Sequence, residues 1–262
     1  MLICLDIGNT HIHAGVFGGD ALRFQFRKAT HPIGSSDELG VFFKAVLREN
    51  EIDPREVHEV AICSVVPAVL YTVRSAAVKY FKATPFILQT GVKTGLKIRY
   101  RNPAEVGADR VANAIAARHR HPGKPLIVVD CGTATTLDVI TTSGEYLGGA
   151  ILPGIGVSAE ALSSKTARLP SVEIERPKVA LGRTTAESIV SGLYHGQVGA
   201  IRELCAQLTC EAFGDERPVV LGTGGFSRLL ADAGLFDGIV PELVLEGLAL
   251  AQRMNREATH ES

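Results

Sequence analysis

Apolar and polar residues follow two different rhythms along this chain. Residues 2–5 form a short unbroken apolar run that stops at Asp6-Ile7-Gly8-Asn9-Thr10, the pattern of a buried strand. Residues 11–17 continue extended, and Gly18-Gly19-Asp20 is a hairpin signal before Leu22, Phe24 and Phe26, which recur with period two. The rhythm then changes. Leu39, Phe42, Phe43, Val46 and Leu47 share the spacing of one buried helical stripe, and Ser35 and Glu38 precede it at capping-box spacing. A strand is predicted over 59–64 and a short one over 85–88. Between them Pro67 opens a helix carrying Leu70, Val73, Ala77 and Phe81.

Residues 126–153 replay the opening. Leu2, Ile3, Asp6 and Gly8 recur as Leu126, Ile127, Asp130 and Gly132, an offset of 124 in each case. A strand-like stretch over 135–141, a Ser143-Gly144 turn and a third strand up to Ile151 complete the copy. Later, a strand over 219–221 ends in Gly222-Thr223-Gly224-Gly225, in the place where Ser64 ends its counterpart. Two copies of β-β-β-α-β-α-β predict two similar α/β domains with a cleft between them. The His121-Pro122-Gly123-Lys124-Pro125 linker divides them into residues 1–120 and 121–262. Before it, Asn102-Pro103 is predicted to open one helix running through Glu105, Val111 and Ile115. Thr184 and Glu187 cap a second long helix carrying Ile189, Leu193, Ile201, Leu204 and Leu208. Pro241 opens the final helix, whose tail beyond Asn255 is expected to fray.

The 262 residues carry 27 Lys and Arg against 28 Asp and Glu, a formal charge of -1. That balance gives no footprint for nucleic acid or an anionic membrane, and no apolar run approaches the ~20 residues of a membrane span. In the opening MLICLDIGNT, Asp6 stands where a secretory signal needs apolar residues. Five scattered cysteines (Cys4, Cys63, Cys131, Cys205 and Cys210) form no even disulfide framework. A cytoplasmic location is therefore expected.

The duplicated Asp-x-Gly carries the candidate chemistry. Gly8 and Gly132 let backbone N–H groups approach phosphate oxygens, and Asn9, Thr10, Thr133 and Thr135 add donors. A carboxylate repels phosphate, so Asp6 and Asp130 need an intervening cation, Mg²⁺ for one of them. A single Asp-x-Gly is most simply a strand-ending turn; two in matched positions favour a nucleotide triphosphate. No Gly-Lys-[Ser/Thr] occurs, and Gly148-Gly149 and residues 222–225 fail the dinucleotide fingerprint, though the latter could accept an adenosine edge-on. His11 and His13, like His119 and His121, lack a third ligand at metal spacing and read as solvated or loop histidines. Cys205 and Cys210 fall on different helix faces, and His195 reads as a packing residue.

The set D-x-G-N-T (6–10), G-x-D-R (107–110), D-x-G-T-A-T (130–135), G-G-x-I-x-P-G (148–154) and T-x-x-x-I-x-x-G (185–192) resembles the type III pantothenate kinases. These lie within the superfamily of acetate kinases, sugar kinases, heat-shock chaperones and actin. The resemblance runs through essentially the whole chain, with NPAEVGADR before DCGTATT its most specific part. One departure is Arg183-Thr184-Thr185, where many members have Lys-Asn-Thr. The resemblance implies two ribonuclease H-like (actin-like ATPase) domains and ATP-dependent phosphorylation of pantothenate for coenzyme A synthesis. It implies a first phosphate loop of Asp6, Ile7, Gly8, Asn9, Thr10, His11, Ile12 and His13, with Asp6 near Mg²⁺. Tyr100, Gly107, Ala108, Asp109, Arg110 and Thr185 would contact pantothenate, with Asp109 as general base. Asp130 would bind K⁺ or NH₄⁺, Thr133 would contact ATP, and the assembly would be a homodimer.

These roles suit the residue chemistry. Phosphoryl transfer is loose, so an aspartate need accept the alcohol proton only late, and the Arg110 guanidinium is a planar, bidentate fork for a substrate carboxylate. The alternatives are another small-molecule kinase of the superfamily, acting on a sugar or acetate, and a non-enzymatic accessory regulatory factor. A DNA-binding regulator needs a basic helix or a helix-turn-helix, and the sequence shows neither.

Overall fold

Three strands open the chain: β1 (Leu2–Ile7), β2 (His11–Gly18) and β3 (Ala21–Ala29). They form antiparallel neighbours, β1 with β2 and β2 with β3. Next come α1 (Ser36–Glu49), β4 (Glu59–Ser64), α2 (Pro67–Phe81), β5 (Phe86–Ile87), β6 (Lys97–Ile98) and α3 (Ala108–Arg120). The second copy follows as β7 (Leu126–Cys131), β8 (Ala134–Ile140), β9 (Glu145–Pro153), α4 (Ile155–Lys165), α5 (Thr185–Phe213), β10 (Val219–Thr223), β11 (Gly238–Ile239) and α6 (Leu243–His260). The computed structural model describes residues 1–166 and 168–260. The end of the tail predicted to fray, residues 261–262, lies outside them, while α6 itself continues past Asn255.

One strand order serves both sheets. The first runs β3-β2-β1-β4-β5 and the second β9-β8-β7-β10-β11, with β6 added beside β9. β1 pairs in parallel with β4, and β7 with β10, so the duplication read from the sequence extends to strand direction. The capping box predicted at Ser35 is formed: Glu38 N–H donates to Ser35 Oγ at 3.1 Å, and Ser35 N–H to Glu38 Oε2 at 2.6 Å. The same box forms between Thr184 and Glu187 at the start of α5. These bonds take up N–H groups that the first helical turn leaves without intrahelical partners.

Two units emerge, and neither is continuous in sequence. The first comprises residues 1–95, 101–116 and α6; the second comprises 96–100 and 117–242. This differs from the division predicted at 120/121, and pairing explains the difference. Lys97 and Ile98 lie against Glu145 and Tyr146 as an edge strand of the second sheet. Leu243, Leu245 and Leu248 of α6 are fully buried, and that helix packs on β1, β2 and β4. Within the first unit, Ile3, Leu5 and Ile7 join Leu39, Phe43 and Leu47 of α1 and Val69, Val73 and Ala77 of α2 in one core. The alternate sheet face at Gly15 meets Leu245 of α6. Among the described residues, no helix is long and apolar enough to cross a membrane.

The approach of α6 to α3 depends on one missing methyl group. A Cβ on Gly247 would lie 1.8 Å from the Ala112 carbonyl oxygen, a backbone atom that cannot move alone. Gly247→Val is expected to lower stability by about 1–3 kcal/mol, the usual cost of overpacking. Urea unfolding followed by circular dichroism measures it, and a variant as stable as the parent would refute this account of the packing.

Candidate active site

Burial singles out the two aspartates. In β1 and in β7 every residue is buried except Asp6 and Asp130, each half-buried at the same place in its strand. Both carboxylates stand at the carboxyl end of a central strand, where the chain turns sharply. Gly8 N–H donates to the His11 carbonyl at 3.1 Å, and Gly132 N–H to the Ala134 carbonyl at 3.0 Å. Asp6 faces His13 and Asp130 faces Thr136 across their hairpins, so the second turn is one residue shorter.

The first turn is clamped from beneath by a residue that the sequence did not reveal. Thr30, fully buried, donates its Oγ1 to the Gly8 carbonyl at 2.7 Å and its N–H to the Thr10 carbonyl at 3.0 Å. Its only sequence signal is a threonine just past a strand, meaningful once β3 is paired with β2. Of the predicted phosphate loop, Asn9, Thr10 and His11 are exposed and Gly8 half-buried. Ile7 and Ile12 have their side chains wholly in the core, which leaves only their backbone to meet a ligand. His13, expected to be solvated or in a loop, is instead buried within β2, its Nε2 2.7 Å from Gln25 Oε1. Burial holds its pKa below the usual imidazole range.

A second departure concerns Asp109. The single helix predicted from Asn102-Pro103 is divided. Asn102 Oδ1 accepts the Ala104 N–H at 3.3 Å and caps one 3-10 turn, Pro103–Glu105. Val106 then turns extended, with its side chain buried, and α3 begins afresh at Ala108. Asp109 therefore stands in the first turn of α3, where Arg110 N–H donates to its Oδ1 at 2.8 Å. A Cβ on Gly107 would come within 2.4 Å of that oxygen, so glycine keeps the carboxylate's place open. Arg110 is buried beside it. Burial raises the Asp109 pKa above the ordinary carboxylate range and outweighs the lowering by the Arg110 N–H and charge.

Cys63, on β4, completes this group. Its Sγ lies 3.3 Å from Asp6 Oδ1, and burial, then Asp6, then Asp109 push its thiol pKa well up. Val65, the second residue after Cys63, donates its N–H to the Ile7 carbonyl at 3.1 Å and lies against Gly107. The end of β1, the β4–α2 loop and the start of α3 thus converge on Asp6, Cys63 and Asp109 within the first unit.

The second unit gathers backbone instead. Gly154 N–H donates to the Thr133 carbonyl at 3.1 Å, and Phe226 N–H to the Cys131 carbonyl at 3.0 Å. A Cβ on Gly154 would fall 2.3 Å from the Gly132 carbonyl oxygen. Gly224, in the left-handed region at φ +84°, leaves only 2.3 Å between its hypothetical Cβ and Asp130 Oδ1. Gly132 and Thr133 are therefore ringed by bare chain from the ends of β9 and β10, a cradle suited to phosphate or a nucleoside edge. β10 runs further than predicted: Gly222 and Thr223 belong to it, with Gly222 against the Phe236 ring, which leaves Gly224 and Gly225 as the loop. Thr135 is buried and accepts Gln197 Nε2 of α5 at 2.8 Å, so it braces the fold. Tyr100 packs over Gly148, and Thr185 is exposed at the first position of α5. Among the described residues no three His, Cys, Asp or Glu side chains gather as a ready-made metal cage. Asp6 and Asp130 supply hard oxygen donors of the kind that Mg²⁺ takes, one or two carboxylates together with substrate phosphates and water.

A family model described as type III pantothenate kinase matches residues 2–207. A type III pantothenate kinase of Legionella pneumophila (strain Corby) is 55% identical over 255 residues, covering 97% of this chain and 99% of its own. That of Elusimicrobium minutum is 45% identical, over 98% and 99%. Among solved structures, a Campylobacter jejuni protein assigned to the Baf family of transcriptional activators superposes with a TM-score of 0.62 at 19% identity, over 97% and 99% of the two chains. A ROK family glucokinase from Streptomyces griseus, in complex with glucose and AMPPNP, gives 0.51 at 15%, over 96% and 99%. The last two likenesses concern the fold, which is the duplicated actin-like ATPase class.

The raised pKa of Asp109 has a consequence for stability. A folded-state pKa above the unfolded one means that ionised Asp109 is penalised in the native protein. The stability it contributes is complete below the unfolded pKa and is lost as pH rises through the folded pKa. Asp109→Asn should therefore be more stable than the parent at pH 7–8, with the gain shrinking as pH falls below the carboxylate range. Thermal melts across pH measure this, and a variant less stable at neutral pH would contradict the assigned cause.

Proposed function

The chain belongs to the type III pantothenate kinase family, and we propose that three carboxylates, Asp109, Asp6 and Asp130, divide the work of its reaction. The protein phosphorylates pantothenate with ATP, giving 4'-phosphopantothenate in coenzyme A biosynthesis. The primary hydroxyl oxygen of pantothenate forms a bond to the γ-phosphorus, the bond from that phosphorus to the bridging oxygen breaks, and ADP leaves. Asp109 accepts the hydroxyl proton. Because the transition state is loose, the proton moves late, and a carboxyl pKa raised by burial makes Asp109 a better acceptor than a solvated aspartate. The carboxylate of Asp109 at the start of α3, beside buried Arg110 and with its place kept open by Gly107, is the observation that carries the reading.

The remaining assignments rest on the resemblance to the family. Gly107, Ala108 and Arg110 hold pantothenate with Tyr100 and Thr185, the Arg110 guanidinium facing the substrate carboxylate. Gly8, Asn9, Thr10 and His11 meet the phosphates of ATP in the first turn, through backbone N–H groups and polar side chains, and Thr133 meets it in the second. Asp6 would hold Mg²⁺, which would offset the negative charge of the phosphates. Asp130 holds a monovalent cation, K⁺ or NH₄⁺, and the Gly224-Gly225 loop borders the adenosine. A homodimer would cover apolar side chains that the chain leaves exposed, among them Leu147, Ile151, Val157, Val179 and Leu181. Five free cysteines suit the reducing cytoplasm.

Asp109→Asn should lower turnover roughly 10²–10⁴-fold in a protein that still folds. In the parent, kcat should fall on the acid side at a pH above the ordinary carboxylate range. Near-normal turnover of the folded variant would refute the assignment. Asp6→Ala should raise the Mg²⁺ concentration needed for half-maximal rate, whereas Asp130→Ala should blunt the response to K⁺ against Na⁺. Steady-state rates over both cation series separate the two roles, and one shared phenotype would show that they had not diverged.

A further inference from the structure

We propose that Cys63 is a positioning residue for phosphoryl transfer: its thiol holds the Asp6 carboxylate in the orientation in which Asp6 would hold Mg²⁺. The inference rests on the assignment of Asp6 to Mg²⁺ made above. The parallel register of β1 and β4 sets Cys63 directly opposite Asp6, and Sγ lies 3.3 Å from Asp6 Oδ1. An ionised carboxylate has no proton to offer, so the thiol is the donor. Cys63 is fully buried while Asp6 is half-buried. The contact therefore holds one oxygen of the carboxylate from the buried side of the strand pair.

Sulfur suits this task. A lysine or arginine in the same place would orient Asp6 and also cancel its charge. A thiol is a weak donor and fixes a rotamer while leaving the negative charge for a hard cation. The second copy is built differently at the equivalent place. Register sets Thr223 opposite Asp130, and Asp130 Oδ1 lies over Gly224, where a side chain would strike it. The residue opposite the aspartate thus differs between the copies, a thiol at Cys63 in one and a hydroxyl at Thr223 in the other. Such a difference lets a duplicated carboxylate serve two kinds of cation.

The test uses the full chain with Cys63→Ser, Cys63→Ala and Cys63→Val, the first keeping a donor and the other two removing it. Mn²⁺ binding in the presence of ATP, without pantothenate, is read by electron paramagnetic resonance as the loss of free Mn²⁺ signal beyond that of a protein-free Mn²⁺ and ATP sample. The Mg²⁺ dependence of the kinase rate is measured alongside, and melting temperatures verify folding. Cys63→Ala and Cys63→Val should weaken Mn²⁺ binding and raise the half-saturating Mg²⁺ about tenfold, the low end of the roughly 10–100-fold range for groups that orient a metal ligand. Their kcat at saturating Mg²⁺ should fall by less. Cys63→Ser should stay within about threefold of the parent in Mn²⁺ binding, since its hydroxyl can donate to the same oxygen. Parent-like Mn²⁺ binding by Cys63→Ala would overturn the proposal, as would a Cys63→Ser defect equal to that of Cys63→Ala. Cys63→Ala decides the matter if Cys63→Val does not fold. An Asp6→Asn control separates the two levels. Unchanged Mn²⁺ binding there would remove the Asp6 assignment itself, whereas a defect there with none in Cys63→Ala would remove only the role of Cys63.

Discussion

An ionised carboxylate cannot be carried into a dry sheet without several kcal/mol of unfavourable desolvation. A strand that is apolar throughout must therefore release its aspartate at the one edge where water, donors or cations can reach it. β1 and β7 both meet this constraint at the same residue of the strand, and the surrounding chain is organised by it. The turn that follows has to be tight enough to return along a neighbouring strand and bare enough to leave the carboxylate accessible. The strand on the other side, β4 or β10, must run parallel and end level with it. Each unit thereby acquires one charged group at the convergence of several loops, on a base too well packed to shift.

What was legible in the sequence is what depends on near neighbours. The apolar runs of β1 and β7, the stripe of Leu39, Phe43 and Leu47, and the capping boxes at Ser35 and Thr184 are all encoded within a few residues. The repeat was legible because both copies solve one local problem with the same letters. The break between Pro103–Glu105 and α3 escaped because Asn102-Pro103 is an equally good opening for a 3-10 turn and an α-helix. Burial of Val106, a tertiary event, decided between them. Thr30 and Cys63 escaped for a related reason. Each acts on a residue more than twenty positions away, and only strand pairing brings them together. The compact units depart from an even division at 120/121 because β6 and α6 find partners far along the chain.

The two turns also show how a duplicated element acquires different duties. Shortening the second by one residue moves its donors relative to the aspartate. Clamping the first through Thr30, and packing the second against Gly154 and Gly224, gives them different neighbours. β1 and β7 keep one burial pattern, open only at the aspartate, while the turns beyond them differ in length and in neighbours.

The discontinuity of the units has a bearing on how the protein is made. Every residue of the second unit, from Leu96 to Glu242, is synthesised before α6 begins. The first unit meanwhile waits with the β1, β2 and β4 surface that α6 will cover still open to solvent. During vectorial synthesis the order of completion is thus inverted: the part translated first is closed last. A nascent chain paused near residue 242 would hold one finished unit and one unfinished, with an apolar sheet face available to holding chaperones. Release of α6 from the ribosome would then act as the final latch.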